Sequence, residues 1–253
     1  MIYNKENNIK ILEQISMNAW PSIQTMFYDG WILRFANGVT RRANSVNPIY
    51  ESTLDVEEKI AFCEKQYSKK NLPAIFKMTS AANPSELDAV LEKKGYGKQA
   101  ETSVQILDLT EADFDIFPAI KIENELDGKW VKAFVELNEF DEDKIQTYNS
   151  ILENIIPQTA FAGYSISNRI IGCGLGVKQG NYIGLFDIVV DKEHRGVGFG
   201  YYIVTSLLKW GQEKGATTAY LQVMTDNEKA IRLYNKLGFE EQYKYWYRVK
   251  DTQ

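Results

Sequence analysis

The chain has 253 residues, 44% hydrophobic and 25% charged, with a formal net charge of -5 at pH 7. That length supplies core for one large domain or two modest ones, and the acidic balance argues against nucleic acid as a partner. Two distant cysteines and a single histidine exclude a disulfide framework, a zinc knuckle and a multi-histidine site, so no metal is expected.

The first periodic stretch is NNIKILEQISMNAW, where Ile9, Ile11, Leu12 and Ile15 recur at helical spacing. DGWILRF and VTRRANSV read as two strands of a hairpin around the turn ANG. DVEEKIAFCEKQYSKK is a helix with Asp55 as its N-cap. LPAIFKMT is a strand, PSELDAVLEKKG a helix begun by Pro84 and stopped by Gly95, and ETSVQILDL another strand. The acidic segment DLTEADFDIFP is the best linker candidate, which predicts domains at residues 1–112 and 113–253. Beyond it, WVKAFVELN and DEDKIQTYNSILENI are helical. TAFAGYSIS, RIIGCGLGVKQ and NYIGLFDIVV are successive strands with short turns at SN and QGN. A glycine loop and a helix follow, then strand TTAYLQVM, helix NEKAIRLYNKLG and strand QYKYWYRVK.

The order strand, helix, strand occurs in both halves, and LEKKGYGK lies over YNKLGFEE without gaps when Gly95 is set on Gly238. Two related halves are the expectation.

The loop DKEHRGVGFG puts Arg195, Gly196, Gly198 and Gly200 directly before an amphipathic helix. Backbone N–H groups and the positive helix end converge there, which suits a phosphate or diphosphate. A P-loop needs GxxxxGK[ST], which is absent, and GxGxG has the wrong spacing for the dinucleotide fingerprint. The pattern that remains, R-x-x-G-x-G after the strand GLFDIVVD, resembles the acyl-CoA loop of the GNAT superfamily of N-acetyltransferases. The resemblance covers about residues 115–253, including Asn227 and the block LYNKLGF.

That resemblance implies an α/β (α+β) GNAT fold, a mixed and mostly antiparallel sheet flanked by helices, in two tandem GNAT-like halves. It implies that acetyl-CoA is the co-substrate. Ile188, Val189 and Val190 match the bulged strand that offers backbone groups to the pantetheine arm. Arg195, Gly196, Val197, Gly198, Phe199, Gly200 and Tyr201 match the diphosphate loop, and Asn227 matches an asparagine on the cofactor arm. The next strand is expected to splay from the first. Tyr234 matches the usual general acid. The first half has Leu91 in place of Tyr234 and lacks the glycine loop, so it is not expected to bind CoA.

The implied reaction is acetyl transfer to a primary amine by direct attack in a ternary complex, with a strand N–H donating to the oxyanion. Asp187, an acid inside an apolar strand, is the candidate base. A water relay is the alternative, because Tyr182 and Gly184 stand where some relatives carry their base. Arg41 and Arg42, on opposite faces of the second predicted strand, are candidate contacts for an acceptor carboxylate or phosphate. Asn44 and Trp31 are further candidates of the same kind, and His194 is expected to be a turn residue. The alternating tyrosines of QYKYWYRVK read as a sheet face rather than a stacking platform. No apolar run reaches membrane-spanning length, and MIYNKENNIK lacks a signal-peptide core, so the expectation is a cytoplasmic protein with no membrane partner. A CoA-binding sensor without turnover and a scaffold that has lost CoA are the alternatives. The acceptor's identity and the oligomeric state are not legible.

Overall fold

A computed structural model describes residues 5–115 and 117–250. The chain forms two compact units, Met1–Ser103 with Met224–Asp226 and Tyr243–Gln253, and Val104–Val223 with Asn227–Gln242. The division thus falls at Ser103 and Val104, ahead of the expected border after residue 112, and the end of the chain returns to the first unit.

In the first unit, α1 (Lys5–Ala19) buries Ile9, Leu12 and Ile15, while Ile11 faces solvent. β1 (Gln24–Tyr28) and β2 (Trp31–Phe35) pair antiparallel around Asp29 and Gly30. Both turn residues have positive φ, as a tight two-residue turn needs. The hairpin is therefore at Asp-Gly, not at ANG. The second predicted strand is instead a loop carrying a 3-10 turn at Arg41–Ala43, followed by the two-residue β3 (Val46–Asn47). Asn44 is the physical reason. Its Oδ1 accepts from the N–H groups of Ala36 and Gly38, and its Nδ2 donates to the carbonyls of Ala36 and Thr40. These local bonds replace a strand ladder.

α2 (Val56–Ser68) starts at Asp55 as expected, with that carboxylate accepting from Glu57 and Glu58 N–H. β4 (Ile75–Thr79) precedes α3 (Leu87–Lys93), which begins after Glu86 rather than at Pro84 and ends before Gly95 at φ +84°. β5 (Tyr96–Asp108) starts in this unit, and β11 (Glu240–Lys250) ends in it. The strand order is β1-β2-β3-β4-β11-β5. Tyr245–Val249 runs antiparallel to Ile75–Thr79. Tyr243, Tyr245 and Tyr247 are buried on one face, which makes the alternating tyrosines a core face.

The second unit contains β6 (Ile120–Glu123), α4 (Gly128–Asn138), α5 (Glu142–Glu153), β7 (Gln158–Ile166), β8 (Arg169–Gln179), β9 (Tyr182–Val190), α6 (Phe199–Glu213), β10 (Thr218–Met224) and α7 (Glu228–Lys236). Its order is β5-β10-β9-β8-β7-β6, with β9 and β10 parallel and β6 to β9 antiparallel. The segment that reads as a linker is fastened to this unit. Leu109 N–H donates to Thr217 O, the Gln212 amide to the carbonyls of Leu109 and Ala112, and the Thr205 hydroxyl to Asp115 O. Phe114 and Phe117 pack against the core.

The glycines of β8 have a packing reason. Gly172, Gly174 and Gly176 share the face on which α6 lies, because side chains alternate along a strand. A Cβ on Gly174 would come within 2.6 Å of Ile203 and 2.8 Å of Ile188. Gly174→Val is therefore expected to destabilise the protein by about 1–3 kcal/mol through overpacking, readable as a lower urea midpoint.

Candidate active site

β9 is the strand on which the site is built. Its register with β8 shifts between Cys173 and Leu175, and Asp187 sits in that bulge with φ +54°. A left-handed conformation at a non-glycine residue is costly and persists only where neighbours impose it. Here the Tyr148 hydroxyl of α5 donates to Asp187 Oδ2. The parallel pairing of β9 with β10 stops at Leu185 and Leu221. Beyond that point the edge of β9 over Ile188, Val189 and Val190 has no pairing with β10. This is the splay the sequence leads one to expect.

The loop after β9 is shaped by Asp191. Its Oδ1 accepts from Glu193 N–H and lies 3.0 Å from His194 Nδ1, and these contacts hold the carboxyl below its ordinary range. His194 is thus a turn residue. Arg195 Nε donates to Val190 O at 2.9 Å, which ties the guanidinium to the end of the strand. Gly196 and Gly198 have φ of +85° and +98°, conformations that side chains disfavour. Val197 is 66% exposed, Phe199 stacks on Tyr164 at 4.4 Å, and Lys236 lies over the Tyr201 ring at 5.0 Å.

The entrance of α6 fits a diphosphate. Its N-cap is Gly198, so no capping side chain accepts from the first-turn N–H groups. Gly200 supplies the second sign. Its φ is not positive, and a Cβ there would meet only Leu233 and Val190 carbons at 3.8 Å, an ordinary contact. No described protein atom requires glycine at that position. A ligand lying against the backbone would.

The first unit offers a contrast. The N–H groups at the start of α2 are taken by Asp55. Just before it, Asp29 accepts from Thr53 and Leu54 N–H and pairs with Lys59 at 3.0 Å. The Leu54 amide and Lys59 hold the Asp29 carboxyl far below its usual range. Carboxylates of the chain occupy the donors that a bound anion would need.

Past β10, Asn227 caps α7, its Oδ1 accepting from Ala230 N–H at 3.2 Å. The cap does not use the amide nitrogen. Tyr234, on α7, is buried edge-on against Phe239 at 5.8 Å. Burial pushes its phenol up to about 12, so it remains a proton donor at neutral pH. The contact of Gly200 with Leu233 brings α7 beside the loop.

A family model described as "Probable histone acetyltransferase Rv0428c C-terminal" matches residues 6–248. The Bacillus subtilis protein described as "Uncharacterized N-acetyltransferase YobR" is 30% identical over 250 residues, which is 96% of this chain and 99% of that one. The chain belongs to this family, within the GNAT superfamily of N-acetyltransferases. The "Probable histone acetyltransferase Rv0428c" of Mycobacterium tuberculosis is 22% identical over 91% of this chain and 70% of its own. Among solved structures, a GCN5-related N-acetyltransferase from Kribbella flavida superposes with a TM-score of 0.70 at 13% identity, covering 100% of this chain and 98% of that one. A tandem GNAT protein from the clavulanic acid biosynthesis pathway superposes at 0.58 with 15% identity, over 78% and 70%. At such identities these structures speak to the fold alone.

Within this N-acetyltransferase, the remaining candidates are placed differently from the sequence expectation. Arg41 and Arg42 do not alternate on a strand. They stand on the 3-10 turn of the first unit, Arg41 bonded to Gln99 and lying 5.9 Å from the Tyr247 ring, Arg42 lying 5.0 Å over Trp20. Asn44 closes its own loop. Trp31 is fully buried and donates to Asn83 O. Gly184 is packed against the Tyr220 ring, where a Cβ would lie 2.5 Å from its hydroxyl. Both cysteines are buried, and burial pushes both thiols up to about 12. Sequence reasoning missed Tyr148, whose place in a helical run of Tyr148, Ile151 and Leu152 reads as ordinary core.

Proposed function

We propose that the protein transfers an acetyl group from acetyl-CoA to a primary amine. The observation that carries this is the α6 entrance, where uncapped amides, Arg195 and a glycine with no packing reason meet beside a strand edge that β10 has left. Arg195 and the amides of residues 196–201 hold the diphosphate, and the free edge of Ile188, Val189 and Val190 aligns the pantetheine arm. Asn227 contacts that arm through its amide nitrogen. Asp187 takes a proton from the amine, and Tyr234 returns one to the departing thiolate.

Acetyl-CoA is expected to raise the melting temperature by mass action. A panel of amines should then release free thiol. Tyr234→Phe is expected to lower kcat about a hundredfold while leaving acetyl-CoA affinity unchanged, and the wild-type rate should show no alkaline limb from this group until the pH nears about 12. Absence of any thermal shift with acetyl-CoA would overturn the proposal.

A further inference from the structure

We propose that Tyr148 is a positioning residue for Asp187, holding its carboxylate where it accepts the proton of the incoming amine. The inference rests on the acetyl transfer proposed above. Tyr148 is 1% exposed on α5, and its ring is clamped. It stacks on Phe134 at 4.9 Å and 9°, and Phe140 packs against it at 5.4 Å. Phe134 in turn stacks on Trp130, whose Nε1 donates to Ala162 O at 2.9 Å. This aromatic ladder fixes α4 and α5 against β7, so the phenol oxygen has little freedom. Its hydrogen bond goes to Asp187 Oδ2.

The recipient of that bond is in the part of β9 past the end of its pairing with β10, is half-buried, and has a backbone conformation that sequence alone disfavours. On the β8 side stands Cys173, a buried thiol whose proton the Asp187 charge helps to retain. Asp187 is thus approached by a phenol from α5 and a thiol from β8. A phenol that donates to one carboxylate oxygen fixes the group in place. The protonated amine gives one proton to this carboxylate. Its nitrogen then forms the C–N bond as the C–S bond breaks, the thiolate takes the Tyr234 proton, and the second amine proton restores the phenol. Both protons are accounted for, and water recovers the one left on Asp187.

The test uses the full chain with Tyr148→Phe, which keeps the stacked ring and removes the hydroxyl. The carboxylate stretch of Asp187, assigned as the infrared band lost in Asp187→Asn, should move in Tyr148→Phe. With the best amine from the panel, kcat is expected to fall about tenfold with the KM for acetyl-CoA unchanged. In an Asp187→Asn background, Tyr148→Phe should have no further effect. An unmoved band, an unchanged kcat, or an equal loss in the Asp187→Asn background would each overturn the assignment. A moved band in a protein that transfers acetyl to no amine would instead overturn the proposed function, with the hydrogen bond intact.

Discussion

Gly200→Ala is expected to make the protein slightly more stable and to weaken acetyl-CoA binding about a hundredfold. The two effects have separate causes. In the first turn of α6 an alanine is a better helix former than glycine, by about 0.5–1 kcal/mol. The added methyl meets nothing closer than 3.8 Å, so packing does not cancel the gain. The diphosphate is another matter. On the proposed binding mode, a methyl group at this position would push it away from the N–H groups of the helix entrance. Losing two charge-assisted hydrogen bonds at about 1.5 kcal/mol each corresponds to roughly a hundredfold in affinity. Urea unfolding and calorimetric titration with acetyl-CoA read the two quantities independently. Unchanged affinity in the alanine variant would show that nothing lies against Gly200.

The second large effect is on stability, and it lies in the first unit. Glu13 and Lys77 form a buried pair at 2.6 Å, with side chains 1% and 5% exposed. The Tyr243 hydroxyl donates to the other Glu13 oxygen at 2.7 Å, and Lys77 Nζ stands 4.0 Å over the Tyr245 ring. Glu13→Ala leaves a buried ammonium and a buried phenol without their acceptor. The expected cost is about 3–5 kcal/mol, a large part of the roughly 5–15 kcal/mol that holds a protein folded. Replacing both partners, as Glu13→Leu with Lys77→Met, removes the charges together and is expected to recover most of the loss. A double-mutant cycle by urea unfolding checks this. Equal destabilisation in the single and double variants would mean that packing, not charge, sets the cost. The pair ties α1 to β4, and the tyrosine ties both to β11. The part of β11 from Tyr243 onward therefore belongs to the core of the first unit.

Much of the candidate site was legible before any coordinates, because loop chemistry is local. The glycines and arginine of DKEHRGVGFG carry their own conformational and electrostatic meaning, and they appear at a helix entrance as that meaning requires. Helix starts and stops were also legible, at Asp55, Gly95 and Gly238, since caps and positive-φ stops act within a turn. Helical spacing located the helices from α1 to α7, and period-two spacing located most strands, but β1 and β6 lie in stretches where neither pattern marked an element.

What the sequence by itself determined, then, were most of the elements and the glycine loop at the entrance of α6, whose causes lie within a few residues of chain. Only the tertiary structure decided what depends on partners far apart in sequence. The Arg41 and Arg42 stretch reads as a strand by its residues, yet Asn44 bonds its backbone into a loop. The acidic segment after β5 has the composition of a linker, yet Gln212 and Thr205 hold it down. Tyr148 is one more core aromatic until folding brings Asp187, 39 positions later, to its hydroxyl. A hydrogen bond between distant residues has no signature in either segment alone, because each side chain also satisfies the simpler pattern of its own helix or strand.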